Sequence, residues 1–449
     1  MLIYYQSDIF VLIGGDFMDP LTEIINFIIA IFQEPAVFLG LIAFVGLLAL
    51  KERIEKIISG TLKTALGLLI LLAGVSVMVN ALSPLGQMAS AALQLPPVSV
   101  EIGTQTVISE LGFEIGLVMV FAFLLNVLVA RISKTFKYIF LTGHLIFWNA
   151  VIFTAAFKYI LGLEGWALIV AASIFTGAYQ IIQPWYTHFF DLEVNENAGF
   201  VLGHSSSLVV LLTCLITKPF AKNGRKFKSM EELTFPQALS WLREPMLMIA
   251  ASYFIIYAVV GALAWNSVVE FASGAGKHPI VWLVLQALNF AAGFAVLIMG
   301  VRMLISELIP AFQGIAQKIV PGAVPALDCP LFFPYGQVSM AYGGLIGMVV
   351  MVLVSIMFVG IKYPWYIFAP TMSAWFHGAT AAVYGNKYAG VPGAILGGVI
   401  AGVLMAVGQA IMWPIIGFAI GDFFSWASDT DYVWYPLIVY LFALIAGKK

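Results

Sequence analysis

Apolar residues along this chain do not alternate with polar ones but run in long blocks. A membrane-spanning helix needs about 20 mainly apolar residues. Eleven runs meet or nearly meet that length, over roughly 35–50, 60–82, 106–130, 138–161, 165–187, 245–266, 279–306, 341–361, 363–385, 391–414 and 431–447. Two more, 198–217 and 322–340, are interrupted by Gly, Pro, His, Ser or Asp and read as broken helices or re-entrant hairpins. Segment 20–33 is apolar on one face (Leu21, Ile24, Ile25, Ile28, Ile29, Phe32), as a helix lying in the membrane interface would be. The pattern predicts an all-α polytopic membrane protein of about eleven transmembrane helices with two re-entrant segments.

Composition agrees. The chain is 62% hydrophobic and 10% charged, with a mean hydropathy of +1.00. A soluble domain carries about 25% charged residues, so lipid must cover much of this surface. The net charge of −2 is spread along the chain and gives nucleic acid nothing to bind. The two cysteines, Cys214 and Cys329, sit among apolar residues, which argues against a disulfide framework or zinc site. The longest polar stretch, roughly Lys218 to Glu244, is too short to fold alone. Met1 to Phe17 is apolar but lacks a basic n-region and a small-residue cleavage site, so it does not read as a signal peptide. Gly14-Gly15-Asp16 looks like a translated ribosome-binding sequence, so Met18 is the expected natural start; N-terminal sequencing that returned Met1 would remove that expectation.

Charge orders the spans. Basic residues cluster at Lys51/Arg53/Lys56, Arg131/Lys134/Lys137, Lys218 to Lys228 and Lys448/Lys449. Eleven spans put all four clusters on the cytoplasmic side if 198–217 enters and leaves on that side, with the N-terminus outside and the C-terminus inside. Lys362 is the one exception. An internal repeat follows. Gly74-Val75, Leu82-Ser83-Pro84 and Gln87 match Gly300-Val301, Leu308-Ile309-Pro310 and Gln313 at an offset of 226. Tyr138-Ile139-Phe140, Gly162 and Gly165 match Tyr366-Ile367-Phe368, Gly390 and Gly393 at 228. The matched spans would run in opposite directions, an inverted repeat of the kind that frames a midplane transport site. The competing reading is coincidence among Gly and aliphatic residues. The expected organisation is an N-terminal extracytoplasmic segment, 1–34, then repeat halves 35–230 and 231–449.

Ionisable residues at membrane depth are costly and are candidates for function. His144 follows Leu141-Thr142-Gly143; His204 lies in the first broken segment, before Ser205-Ser206-Ser207; Asp328 lies in the second. Interrupted helices expose backbone groups, which survive in a membrane only where they line a cavity or are buried in protein. Open backbone, two imidazoles and a carboxylate suit a multiply hydroxylated substrate, since imidazole donates and accepts while carboxylate accepts. The bland readings are a packing histidine and, for Asp328, a helix cap. Ser205, Asn149 and Trp148, whose ring could stack on a sugar, complete the candidate set; His377 is the repeat counterpart of Asn149 and a weaker candidate. His188 and His278 fall in predicted loops, and Glu307 and Arg302 suit a structural ion pair. No phosphate-binding loop, dinucleotide fingerprint or metal-ligand cluster is present in the sequence, so no metal or other cofactor is expected.

Several stretches resemble the membrane (enzyme IIC) subunit of the phosphotransferase-system L-ascorbate transporter. They are Ser59-Gly60-Thr61-Leu62-Lys63-Thr64, Leu72-Ala73-Gly74, Leu141-Thr142-Gly143-His144, Gly199-Phe200 with Gly203-His204, and the run from Gly300-Val301-Arg302-Met303 through Glu307-Leu308, Ala311-Phe312 and Gly314-Ile315 to Pro321-Gly322-Ala323-Val324 and Asp328-Cys329. The resemblance covers roughly residues 22 to 447. It implies eleven spans in a transport core and a V-shaped dimerisation domain, a homodimer, and an elevator-type movement. It also implies coupled phosphorylation by a cytoplasmic IIB protein, fed from phosphoenolpyruvate, and a substrate pocket using His144, His204 and Asp328. Phosphorylation would trap the substrate by adding about two charges, and Asp328 could serve as general base. The basic loop Lys218 to Lys228 could dock IIB or only set topology. Ser205, Trp148 and Leu72 stand where the ascorbate-type pattern has Gln. Loss of three amides should alter what the site accepts, so the expected substrate is L-ascorbate or a related sugar acid, pentose or polyol. The alternative is a secondary transporter of a small polar solute driven by H+ or Na+. A non-transporting membrane sensor would leave the paired broken segments unexplained.

Overall fold

The computed structural model describes residues 20–92, 100–222, 227–234, 236–238, 241, 244–365, 367, 371–424 and 428–447. The expected start at Met18, the repeat residues Tyr366 and Phe368 and the terminal Lys448/Lys449 lie outside the described residues. The chain opens with α1 (Pro20–Gln33) and α2 (Pro35–Ala49), bent by 96° at Glu34. Pro35 disfavours helical backbone in the residue before it, and the rings of Phe32, Phe38 and Phe123 meet inside the elbow at 5.0–5.2 Å. After them come α3 (Ile54–Ala92), α4 (Thr104–Glu110), α5 (Gly112–Ile132), strand β1 (Tyr138–Phe140), α6 (Gly143–Leu161), α7 (Gly165–Val194), β2 (Val201–Leu202) and α8 (Ser207–Lys222). The second half holds α9 (Pro245–Leu263), α10 (Trp265–Gly274), α11 (Pro279–Gly314), β3 (Val324–Leu327), α12 (Gln337–Gly360), α13 (Thr371–Phe424) and α14 (Tyr435–Ile445).

By length and composition, eight helices among the described residues can cross a membrane, or nine if the bent α1–α2 pair counts as one. The chain is a multi-pass membrane protein. The eleven apolar runs do not map one to one onto separate helices. Runs 363–385 and 391–414 form one continuous element, α13, which reverses at Ala389 and Gly390. Its two arms pack so closely that a Cβ on Gly385 would strike the Gly393 main chain, and one on Gly397 that of Ala381. Runs 35–50 and 431–447 become α2 and α14, 15 and 11 residues long, too short to cross alone.

Helix α3 crosses α11 through glycine. Gly67 lies against Leu304, Gly300 against Leu71 and Gly74 against Leu297, so the two helices run antiparallel with backbones nearly touching. Small residues permit that approach where lipid gives helices no hydrophobic reason to associate.

The fold is mostly helical, as expected, and adds one small sheet to the helices. Three short parallel strands form a sheet in the order β1-β3-β2, with Tyr138 opposite Val324, Phe140 opposite Ala326 and Leu202 opposite Leu327. The two broken segments are therefore strand-and-turn structures: 198–217 holds β2 and the start of α8, while 322–340 holds β3, a 3-10 turn (Cys329–Tyr335) and the start of α12. The 138–161 run also begins with strand. Open sheet edges are intolerable in hydrocarbon, and side chains close both. On the β1 edge, Asn126 of α5 accepts from the Phe140 amide at 2.9 Å and donates to the Tyr138 carbonyl at 2.9 Å. On the β2 edge, Asp191 of α7 accepts from the Leu202 amide at 2.9 Å, and Gln183 donates to the Leu202 carbonyl at 3.0 Å.

Candidate functional site

The sheet explains how distant residues meet. All three strands run parallel, so their C-terminal ends lie at one edge, and each is followed closely by a candidate residue: His144 after β1, His204 after β2, Asp328 after β3. Pockets beyond the carboxyl ends of parallel strands are a recurrent ligand position. His144 Nε2 lies 3.8 Å from Asp328 Oδ2, and His204 Nε2 lies 3.5 Å from Asp328 Oδ1. Ligand atoms of all three fall within 4.8 Å of one another. One small polar group or one ion could bridge them by distance alone.

Local sequence shapes this corner. A Cβ on Gly203 would come within 2.7 Å of the Ala326 carbonyl, so glycine is what lets the β2 exit lie on β3. Thr142 donates its hydroxyl to the Gly203 carbonyl at 2.6 Å, tying the two Gly-His turns together. Asp328 accepts from the Cys329 amide at 2.7 Å and so caps the 3-10 turn, which meets the bland reading of that residue without removing it from the site. His144 is the most open of the three, with 38% of its side chain exposed. It faces a narrow cavity shared with Asp328 and walled by Leu68, Leu71, Leu72 and Leu304. Leu72, one of the positions that departs from the ascorbate-type pattern, is thus part of the wall.

The other candidates are placed differently. Ser205 gives its hydroxyl to Asp429, not to the triad. Trp148 packs its ring on Phe147 and Phe423 at 5.0 and 5.1 Å. Asn149 is fully buried, and neither of its amide atoms has a hydrogen-bond partner among the described residues. His278 caps α11 by accepting from the Ile280 amide. Glu307 pairs with Lys63 at 3.1 Å rather than with Arg302. Both cysteines are free and buried.

A second polar cluster lies behind His204, and the sequence reading passed over most of it. The His377 ring is 5.5 Å from that of His204 and contacts the Ser205 and Ser373 carbonyls at 3.2 and 2.8 Å. Asp429 accepts from Ser205 and Ser373. Asp431 accepts from Ser207, from Tyr179 at 2.7 Å and from the Leu208 amide at 2.8 Å, which pins the start of α8. Asp429 and Asp431, at the start of the last apolar run, were not singled out from the sequence.

The family model described as "PTS system sugar-specific permease component" (EIIC-GAT) matches residues 30–431. The chain is also similar to a curated protein of Mycoplasma pneumoniae named "Ascorbate-specific PTS system EIIC component", at 26% identity over 381 residues covering 74% of this chain and 56% of that protein. The chain thus spans little more than half the length of that relative.

Proposed function

The chain belongs to the family of phosphotransferase-system sugar-specific permease components, and we propose that it imports L-ascorbate or a related sugar acid, pentose or polyol that a phosphorylated IIB partner phosphorylates on passage. The observation that carries this reading is the convergence of His144, His204 and Asp328 at the carboxyl ends of three parallel strands. In that site the substrate hydroxyl loses its proton to Asp328 as its oxygen bonds the phosphorus held by IIB, and the IIB–phosphorus linkage breaks. The protein's part is to position the hydroxyl and hold its proton. The similarity to an ascorbate-specific relative favours that substrate; Leu72 in the cavity wall and the Ser205–Asp429 bond favour a relative of it.

The same proposal includes an inverted repeat, a homodimer and an elevator movement of the core. The element bounds support the repeat. Shifting α3 by 226 gives 280–318, against Pro279–Ile319 for α11 and its π turn. Shifting α6 and α7 by 228 lays them on the two arms of α13, and Gly162, at φ 69°, on Gly390, at φ 54°. The antiparallel α3–α11 crossing is what inversion requires. With the N-terminus outside and the C-terminus in the cytoplasm, IIB would meet a cleft lined by Lys228 and Lys387. Glu231, in the same cleft, accepts from the Val338 and Ser339 amides at 2.9 and 2.8 Å and is held by α12, leaving the lysines to face the partner's phosphoryl group.

Equilibrium binding to the purified protein tests the substrate. L-ascorbate should compete better than neutral pentoses and polyols, and His144→Ala should abolish the difference. Binding of none of L-ascorbate, the sugar acids, the pentoses and the polyols would overturn the choice of substrate.

A further inference from the structure

His204 sits in the turn between β2 and α8 with only 8% of its side chain exposed. Its Nδ1 lies 3.0 Å from the backbone nitrogen of Ser206 and 3.0 Å from the Ser206 hydroxyl. A backbone N–H can only donate, so Nδ1 must present its lone pair. A neutral imidazole with a free Nδ1 carries its proton on Nε2, and that atom faces Asp328 Oδ1 at 3.5 Å, an acceptor. A second proton on Nδ1 would meet the Ser206 proton head-on. His144 has no such constraint: among the described residues no hydrogen bond fixes either of its ring nitrogens, and it opens to the cavity. The remaining titratable groups near the His204 ring are His377, with ring centroids 5.5 Å apart, and Asp429 beyond it.

We propose that the Ser206 amide locks His204 as the Nε2–H tautomer, which makes Ser206 a positioning residue and His204 a fixed hydrogen-bond donor. The inference rests on the transport reading only for its functional meaning. Two consequences follow. The substrate must turn an acceptor oxygen to His204 and a hydroxyl to Asp328, a pattern found on neighbouring oxygens of a sugar acid. The triad also cannot chelate a divalent cation through His204, despite ligand atoms within 4.8 Å of one another. A ligating histidine offers a lone pair to the metal and donates its other N–H to an acceptor; here the other nitrogen meets a donor.

The test is nitrogen NMR of protein labelled with 15N-histidine in lipid nanodiscs, with the His204 signals identified by their loss in His204→Gln. The expected spectrum has an unprotonated Nδ1 and a protonated Nε2 at His204. Ser206→Ala, which keeps the amide, should preserve that spectrum. Ser206→Pro, which removes it, should give a mixture of tautomers. A protonated Nδ1 in the wild type, or an unchanged spectrum in a folded Ser206→Pro, would overturn the proposal. Zinc titration of the wild type by calorimetry provides a readout that does not depend on the proline variant folding: no heat that His204→Gln abolishes is expected, and His204-dependent binding would overturn the proposal. Neither measurement involves uptake, so a failed transport assay would leave this result standing.

Discussion

The α3–α11 crossing and the three-stranded nucleus both bury backbone inside a membrane protein, and they do it by opposite means. At the crossing every backbone group is already satisfied within its own helix, so the interface needs only closeness, supplied by Gly67, Gly74, Gly293 and Gly300. In the nucleus the chain leaves helical geometry, and its edge amides and carbonyls must be met by Asn126, Gln183 and Asp191. The first arrangement packs; the second leaves turn residues at the strand ends, where side chains can face a cavity. Chemistry therefore gathers at the less regular region, and the regular one supplies the wall.

The largest expected effect separates function from fold inside the nucleus. Asp328→Asn keeps an acceptor for the Cys329 amide but loses the base, so coupled uptake should fall about 100-fold or more while protein abundance on a blot holds. Near-normal uptake would remove Asp328 from its proposed role. Next, Asn126→Leu leaves the Phe140 amide and the Tyr138 carbonyl without their side-chain partner. A cost of about 1–3 kcal/mol for each orphaned group should lower the thermal midpoint of the purified protein, with uptake falling in step with abundance. Gly300→Leu attacks the other region. A side chain there meets the Leu71 main chain, and overpacking of about 1–3 kcal/mol should lower the midpoint. An unchanged midpoint in Gly300→Leu would contradict the close approach of α3 and α11. The smallest effect is expected at Lys63→Met, which removes the half-exposed ion pair to Glu307. Such pairs contribute about 0–1 kcal/mol, so the midpoint should barely move.

The sequence made one region legible and hid much of the other. Helices α3 and α11 stand out as long apolar runs, and Gly74 and Gly300, matched in the sequence, both lie at their crossing. His144, His204 and Asp328 were legible because polar residues interrupt apolar runs at Gly-His and Ala-Leu-Asp. The strands were not, because Tyr138-Ile139-Phe140 and Val324 to Leu327 are apolar throughout, and a short apolar run has no period that separates strand from buried helix. The direction of the Ser205 hydroxyl was equally hidden, since it depends on Asp429, more than two hundred residues away. The bounds of the spans were legible only in part: runs 363–385 and 391–414 are the two arms of α13, which turn back on each other at Ala389 and Gly390.

The most direct test of the central claim is uptake of radiolabelled L-ascorbate by vesicles containing this protein, with and without phosphoenolpyruvate, the general carriers and the IIA and IIB proteins. The account predicts phosphorylated ascorbate inside the vesicles only in the complete mixture, and almost none with Asp328→Asn. Accumulation of unmodified solute driven by a proton or sodium gradient, with no phosphoenolpyruvate present, would contradict it and establish an ion-coupled transporter instead.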